Sequence, residues 1–213
     1  MDISINTFEQ MKDACLSLDK QIYEIAQENM ASEADITVDE VRAFVNKSLF
    51  AMKEAIQTGM ASKELSMSGM CGQDCYHVQQ RYKSERSMFG PLFEKIIEYA
   101  LATSEENIRM GKIVACPTAG SCGILPAALI SVSEQYNHSE REQLNALITA
   151  GEIGRIISAK VSLAGAVAGC QAECGVASAM SAGAVCQLRG GNVSQILNAA
   201  ALAMKNLLGL TCD

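Results

Sequence analysis

Cys170 stands in the run Ala168-Gly169-Cys170-Gln171-Ala172-Glu173-Cys174-Gly175, and Cys212 stands next to the last residue. Thiols in polar or Gly-rich surroundings, in a chain that opens without the basic-then-apolar pattern of a signal peptide, read as metal or cluster ligands rather than disulfide partners. Cys71 with Cys75, Cys116 with Cys122, and Cys170 with Cys174 also offer metal-compatible spacing. None is the tight C-x-x-C of a zinc ribbon, and neither His77 nor His138 completes a zinc-finger pattern. Cys15, Cys174 and Cys186 are better read as small core residues. His138, just before a helix cap, reads as a solvated loop residue, and His77 as part of a Gly-rich loop.

A second set of chemically competent residues lies in Ala115-Cys116-Pro117-Thr118-Ala119-Gly120-Ser121-Cys122-Gly123. Small residues leading into a helix expose backbone N–H groups that can bind a carboxylate or phosphate at the positive end of the helix dipole. Thr118 and Ser121 add hydroxyls. The same run also reads as a Pro-containing turn followed by a helix cap. Its Gly spacing is not that of a nucleotide-binding loop. Lys112, ahead of Gly120 and Gly123, loosely imitates a pyridoxal-phosphate lysine beside a phosphate cup. Asp74 and Glu173 are the acidic residues in the least ordinary settings, and they form an acid–base pair only if the fold joins them.

The elements that must position these groups are helical. Capping boxes mark starts at Thr7 with Gln10, Thr37 with Glu40, and Ser139 with Glu142. Phe8, Met11, Cys15, Leu18, Ile22 and Ile25 share one face of a first helix, and Val41, Phe44, Val45, Leu49, Met52 and Ile56 one face of a second. Pro91 opens a third. Later helices are expected over 124–136, 144–160 and 194–208, and the longest strand candidate is 112–116. Residues 66–75 read as a polar, Gly-punctuated loop. The stretch 165–183 is so rich in small residues that backbones approach closely there or a ligand sits against it.

The expected fold is therefore all-α, a single helical domain with Gly/Ala-rich central buried helices over 213 residues. A net charge of −7 with scattered basic residues gives no reason to expect nucleic-acid binding. The stretch 161–188 carries Glu173 as its only charge. It is too weakly apolar for a membrane span, so a cytoplasmic chain with reduced thiols is expected.

Three runs act together. Gly111-Lys112-Ile113-Val114-Ala115-Cys116-Pro117-Thr118-Ala119-Gly120-Ser121-Cys122-Gly123-Ile124-Leu125-Pro126-Ala127 closely resembles the signature of iron–sulfur-dependent L-serine dehydratases. Gly169-Cys170-Gln171-Ala172-Glu173-Cys174-Gly175 is similar to that family's first cluster-cysteine motif, and Gly209-Leu210-Thr211-Cys212-Asp213 to the beginning of its second. The likeness runs from about Ser68 to the end, in the family's order.

The resemblance implies conversion of L-serine to pyruvate and ammonia with a 4Fe-4S cluster acting as Lewis acid. It implies the α chain of a two-chain enzyme, with a β chain as partner in a homo- or hetero-oligomer. Cys170 and Cys212 become metal ligands, Lys112, Thr118 and Ser121 catalytic candidates, and Thr118, Ala119, Gly120, Ser121 and Gly123 substrate contacts. The family's third cluster cysteine lies beyond Cys-Asp and is absent here, so the chain alone is expected to be C-terminally truncated and inactive. The loop Gly72-Gln73-Asp74-Cys75-Tyr76-His77 also departs from the family's Gly-Gly-Asp pattern. Two other readings stand beside this one: a related lyase for threonine or cysteine, and a non-catalytic helical scaffold.

Overall fold

Thr7, Thr37, Ser139 and Asn192 each accept a hydrogen bond from the backbone N–H three residues on, at 3.1, 3.2, 3.3 and 3.0 Å. Such caps satisfy N–H groups that a helix start otherwise leaves unpaired, and each contributes about 1 kcal/mol. At Thr37 and Ser139 the carboxylates of Glu40 and Glu142 reach back to the cap's own N–H, at 2.8 and 2.7 Å. Hydrogen bonds from Ser139, with His138 adding to them, hold the Glu142 carboxyl down to about 2. This contribution is complete above the ordinary carboxylate range and is lost only as pH falls through that value.

The computed structural model describes residues 5–85, 87–163 and 165–209. Among them are nine helices: α1 (Phe8–Leu18), α2 (Ile22–Ala34), α3 (Val38–Ala61), α4 (Asp74–Ser84), α5 (Pro91–Ile108), α6 (Ile124–Gln135), α7 (Glu140–Ser158), α8 (Gly165–Leu188) and α9 (Val193–Lys205). No strand occurs among the described residues, and 112–115 is irregular. No described helix is long and apolar enough to cross a membrane. The all-α expectation holds.

Two local expectations do not. The single helix drawn through Phe8 and Ile25 is two helices, because Asp19 takes the left-handed conformation (φ 52°) and turns its N–H onto Cys15 O. Glu24 then accepts from Gln21 N at 2.8 Å to start α2. Ile22 and Ile25 stay in the core, so the apolar spacing continues unbroken across the turn at Asp19. The loop drawn over 66–75 ends at Gln73, and Asp74, Cys75 and His77 belong to α4. Cys75 is the buried residue of that helix, which leaves no apolar periodicity to detect.

The core is assembled by α7, α8 and α9 packed side by side, with α6 on α8 and α3 on α5. Ala177, Ala179 and Ala184 of α8 are wholly buried. A methyl group on Gly183 would meet Ile153 Cδ1 at 2.2 Å, and one on Gly154 would meet Met180 Sδ at 2.9 Å. Small residues here admit the large side chains of the neighbouring helix, which accounts for much of the Gly/Ala-rich stretch without a ligand. At Gly169 the backbone leaves helical geometry (φ 76°, ψ 164°), so α8 runs straight only from Cys170 onward.

Candidate active site

The end of α5 organises the region. Arg109 pairs with Glu105 Oε2 at 3.4 Å and with Glu106 Oε2 at 3.2 Å. The three side chains are 7, 4 and 12% exposed. Each carboxylate has a second task. Glu105 accepts from Cys75 N at 3.1 Å and so pins the start of α4. Glu106 lies against Gly111, where even a methyl group would fall 1.9 Å from its Oε1. Between them Asn107 donates Nδ2 to Ala119 O at 3.0 Å. One helix turn thereby holds both the 62–73 loop and the loop that carries Thr118.

That second loop is folded on itself before it enters α6. Cys116 N donates to Thr118 O at 3.3 Å, and Ile124 N to Ser121 O at 3.2 Å. The Thr118 and Ser121 hydroxyls lie 3.1 Å apart. Ser121 is 2% exposed, and its hydroxyl also reaches Cys116 O and Thr118 O at 3.5 Å. Thr118 is half-buried, whereas Ala119 and Gly120 are exposed. Gly123 precedes α6, which starts without a side-chain cap, so the positive end of that helix is left to the loop and to any ligand it binds. A methyl group on Gly123 would meet Ala100 O and Ser104 Oγ, both at 2.7 Å, so the α6 start is pressed onto α5.

Glu173 completes the arrangement from α8. Its Oε2 would be 3.0 Å from a methyl group on Gly120, and Thr118 Oγ1 would be 3.8 Å from the same point. The two acidic residues singled out in the sequence are thus divided. Glu173 meets the Thr118 loop, while Asp74 is an exposed residue at the start of α4, a helix packed on α5 and α3. Lys112 is 73% exposed with Nζ 3.3 Å from Glu54 Oε2. His77 is exposed on α4, its ring 5.5 Å from that of Tyr76. His138 is not the solvated residue expected, since its side chain is 12% exposed with Nδ1 3.3 Å from Glu142.

Burial separates the thiols. It pushes Cys75 and Cys116 up to about 12 and Cys15 to about 11, and raises Cys122 and Cys186. Such thiols stay protonated at neutral pH and are poor ligands. Cys15 and Cys186 pack in or against the core as expected, and Cys174 is half-buried. Cys71 and Cys170 are exposed. Cys212 lies outside the described residues. No three ligating side chains converge among the described residues, so they do not by themselves fit a cluster, although the accessible Cys170 suits one ligand position. Beside Cys170, a groove of about 440 Å³ is lined mostly by apolar residues, among them Ala172, Val176, Met204 and Leu207, with Gln171 as its one polar side chain. It offers an amino-acid zwitterion little to bind.

The serine dehydratase alpha chain model matches residues 17–213, a span that includes the Thr118 loop, Glu173 and both motif cysteines. The chain belongs to that family. It is 35% identical over 209 residues to the L-serine dehydratase, alpha chain, of Peptoniphilus asaccharolyticus, covering 98% of this chain and 72% of that protein. It is 38% identical over 189 residues to a probable L-serine dehydratase, alpha chain, of Bacillus subtilis (strain 168), covering 89% of this chain and 62% of that one. The L-serine dehydratase of Helicobacter pylori (strain ATCC 700392 / 26695) is 34% identical over 208 residues, 91% of this chain and 46% of its own length. The chain therefore spans only part of each of these relatives.

Within the family frame, the residues that sequence reasoning missed are Glu105, Glu106, Asn107 and Arg109. Four polar residues near a helix end read as a solvated face, and only the following Gly111 hints that something large presses on the backbone there. Glu173 stands out in the sequence, but the fold sets it against Gly120 rather than Asp74.

Proposed function

We propose that this chain is the α chain of an L-serine dehydratase and binds L-serine at the Thr118 loop. One observation carries the reading. Gly120 and Glu173 belong to separate motif runs, yet the fold sets a carboxylate against an exposed turn of hydroxyl and amide donors at an uncapped helix start. The substrate carboxylate would be received by the Thr118 hydroxyl and the Ala119 and Gly120 amides, aided by the α6 dipole. Ser121, buried behind Thr118, holds that hydroxyl in place rather than touching the substrate, and Gly123 keeps the turn close to α5. Lys112 would act only at the rim.

The reaction removes water from serine: the α-proton leaves Cα, the hydroxyl leaves Cβ, and the resulting aminoacrylate tautomerises and is hydrolysed to pyruvate and ammonia. We assign Cys170 and Cys212 as two of the thiolate ligands of a 4Fe-4S cluster whose third the family places after the Cys-Asp pair, with a β chain as partner. When bound, such a cluster supplies a Lewis-acidic iron for a hydroxyl leaving group. The chain's own task is to fix the carboxylate so that Cα–H and Cβ–OH are held in one orientation.

The test is pyruvate release from L-serine, measured anaerobically with iron, sulfide and the β chain, on the chain extended through the family's third cluster-cysteine motif. A hydroxyl donor to a charged group contributes about 1.5–3 kcal/mol, so Thr118→Val should raise KM about 10- to 100-fold. Ser121→Ala should raise it less, because it acts through Thr118. No serine-dependent pyruvate, or an unchanged KM in Thr118→Val, overturns the assignment.

A further inference from the structure

We infer that Glu173 makes the site selective for α-amino acids by receiving the substrate's α-ammonium group. The inference rests on the serine-binding reading of the Thr118 loop and names what that reading leaves open. A loop of N–H and hydroxyl donors beside a helix start attracts any small carboxylate, including hydroxy acids without nitrogen. Glu173 changes that preference, because its Oε2 lies against Gly120, in the middle of the donor turn. The cations of α5 and of the approach to the loop are held elsewhere, Lys95 by Glu134, Arg109 just past α5 by Glu105 and Glu106, and Lys112 by Glu54. The negative charge of Glu173 therefore faces the incoming ligand uncompensated by them.

A ligand with a carboxylate alone meets repulsion between two like charges across one turn. A zwitterion brings its ammonium on the carbon next to its carboxylate, so one end takes the donor turn and the other takes Glu173. Selectivity then arises from repulsion of the wrong ligand as much as attraction of the right one. Glu173 is held at one end by its own helix, just past the break at Gly169, which fixes its reach toward the loop.

The experiment is calorimetric binding of three ligands to the β-chain-complexed protein: L-serine, L-alanine and 3-hydroxypropionate, which keeps the carboxylate and hydroxyl but lacks the amino group. Wild type should bind both amino acids more tightly than 3-hydroxypropionate. Glu173→Gln should weaken L-serine and L-alanine about 10- to 100-fold, the usual worth of a charge-assisted hydrogen bond, and should leave 3-hydroxypropionate unchanged or tighter. Glu173→Asp, which keeps the charge, should retain the preference at reduced affinity. Equal losses for all three ligands, or amino-acid affinities unchanged in Glu173→Gln, overturn the inference. So does a drop in kcat alone with L-serine affinity intact, which would make Glu173 a proton acceptor instead. If wild type binds none of the three, the serine-site reading itself has failed.

Discussion

Arg109→Met should cost about 3–5 kcal/mol of folding stability, the penalty for removing one partner from a buried ion pair. The size follows from what remains. Glu105 and Glu106 would keep two carboxylates in an interior where only 4 and 12% of their side chains reach solvent. Methionine fills the space but supplies no donor. Urea melts of the folded chain measure the effect, and the triple variant Glu105→Gln, Glu106→Gln, Arg109→Met separates charge from packing. With no carboxylate left to strand, the triple variant should recover most of the loss. An Arg109→Met protein within about 1 kcal/mol of wild type would mean that water reaches these groups and that they are not a buried network.

Two glycine-to-alanine changes should move stability in opposite directions. Gly59 lies in α3 where it crosses α5, and a methyl group there would fall 2.2 Å from Ala102 O and 2.6 Å from its carbonyl carbon. The obstacle is backbone, so the helices themselves must separate. Gly59→Ala should destabilise by at least about 1–3 kcal/mol, which is roughly 2–12 °C in Tm at 2–4 °C per kcal/mol. Gly151 lies in the middle of α7, is exposed, and has open space where its methyl group would go. Gly151→Ala should stabilise by up to about 1 kcal/mol through helix propensity and the unfolded chain's reduced freedom. Thermal melts decide both, and a stabilised Gly59→Ala would show that propensity, not the α3–α5 contact, governs Gly59.

The helices were legible where burial and period agree. Val41, Leu49, Met52 and Ile56 show their inner face directly in the spacing, and Thr37 with Glu40 marks its start. The break at Asp19 was hidden because the apolar rhythm continues across it, and αL geometry in an aspartate leaves no compositional mark. α4 was hidden for the opposite reason, since its exposed polar residues carry no rhythm. In the candidate site, the donor turn at Thr118 and the exposed Cys170 were readable from small residues, hydroxyls and polar surroundings. The contact between Glu173 and Gly120 was not, because it joins residues on α8 and before α6, and only tertiary packing states which acid meets which loop.

The last turn of α5 has a mechanical consequence. Glu105 fastens the head of α4, Asn107 fastens Ala119, and Arg109 ties Glu105 to Glu106, which in turn braces Gly111. The two loops on either side of this turn are thus moored to one post. Neither can swing outward without disturbing contacts made by that same post.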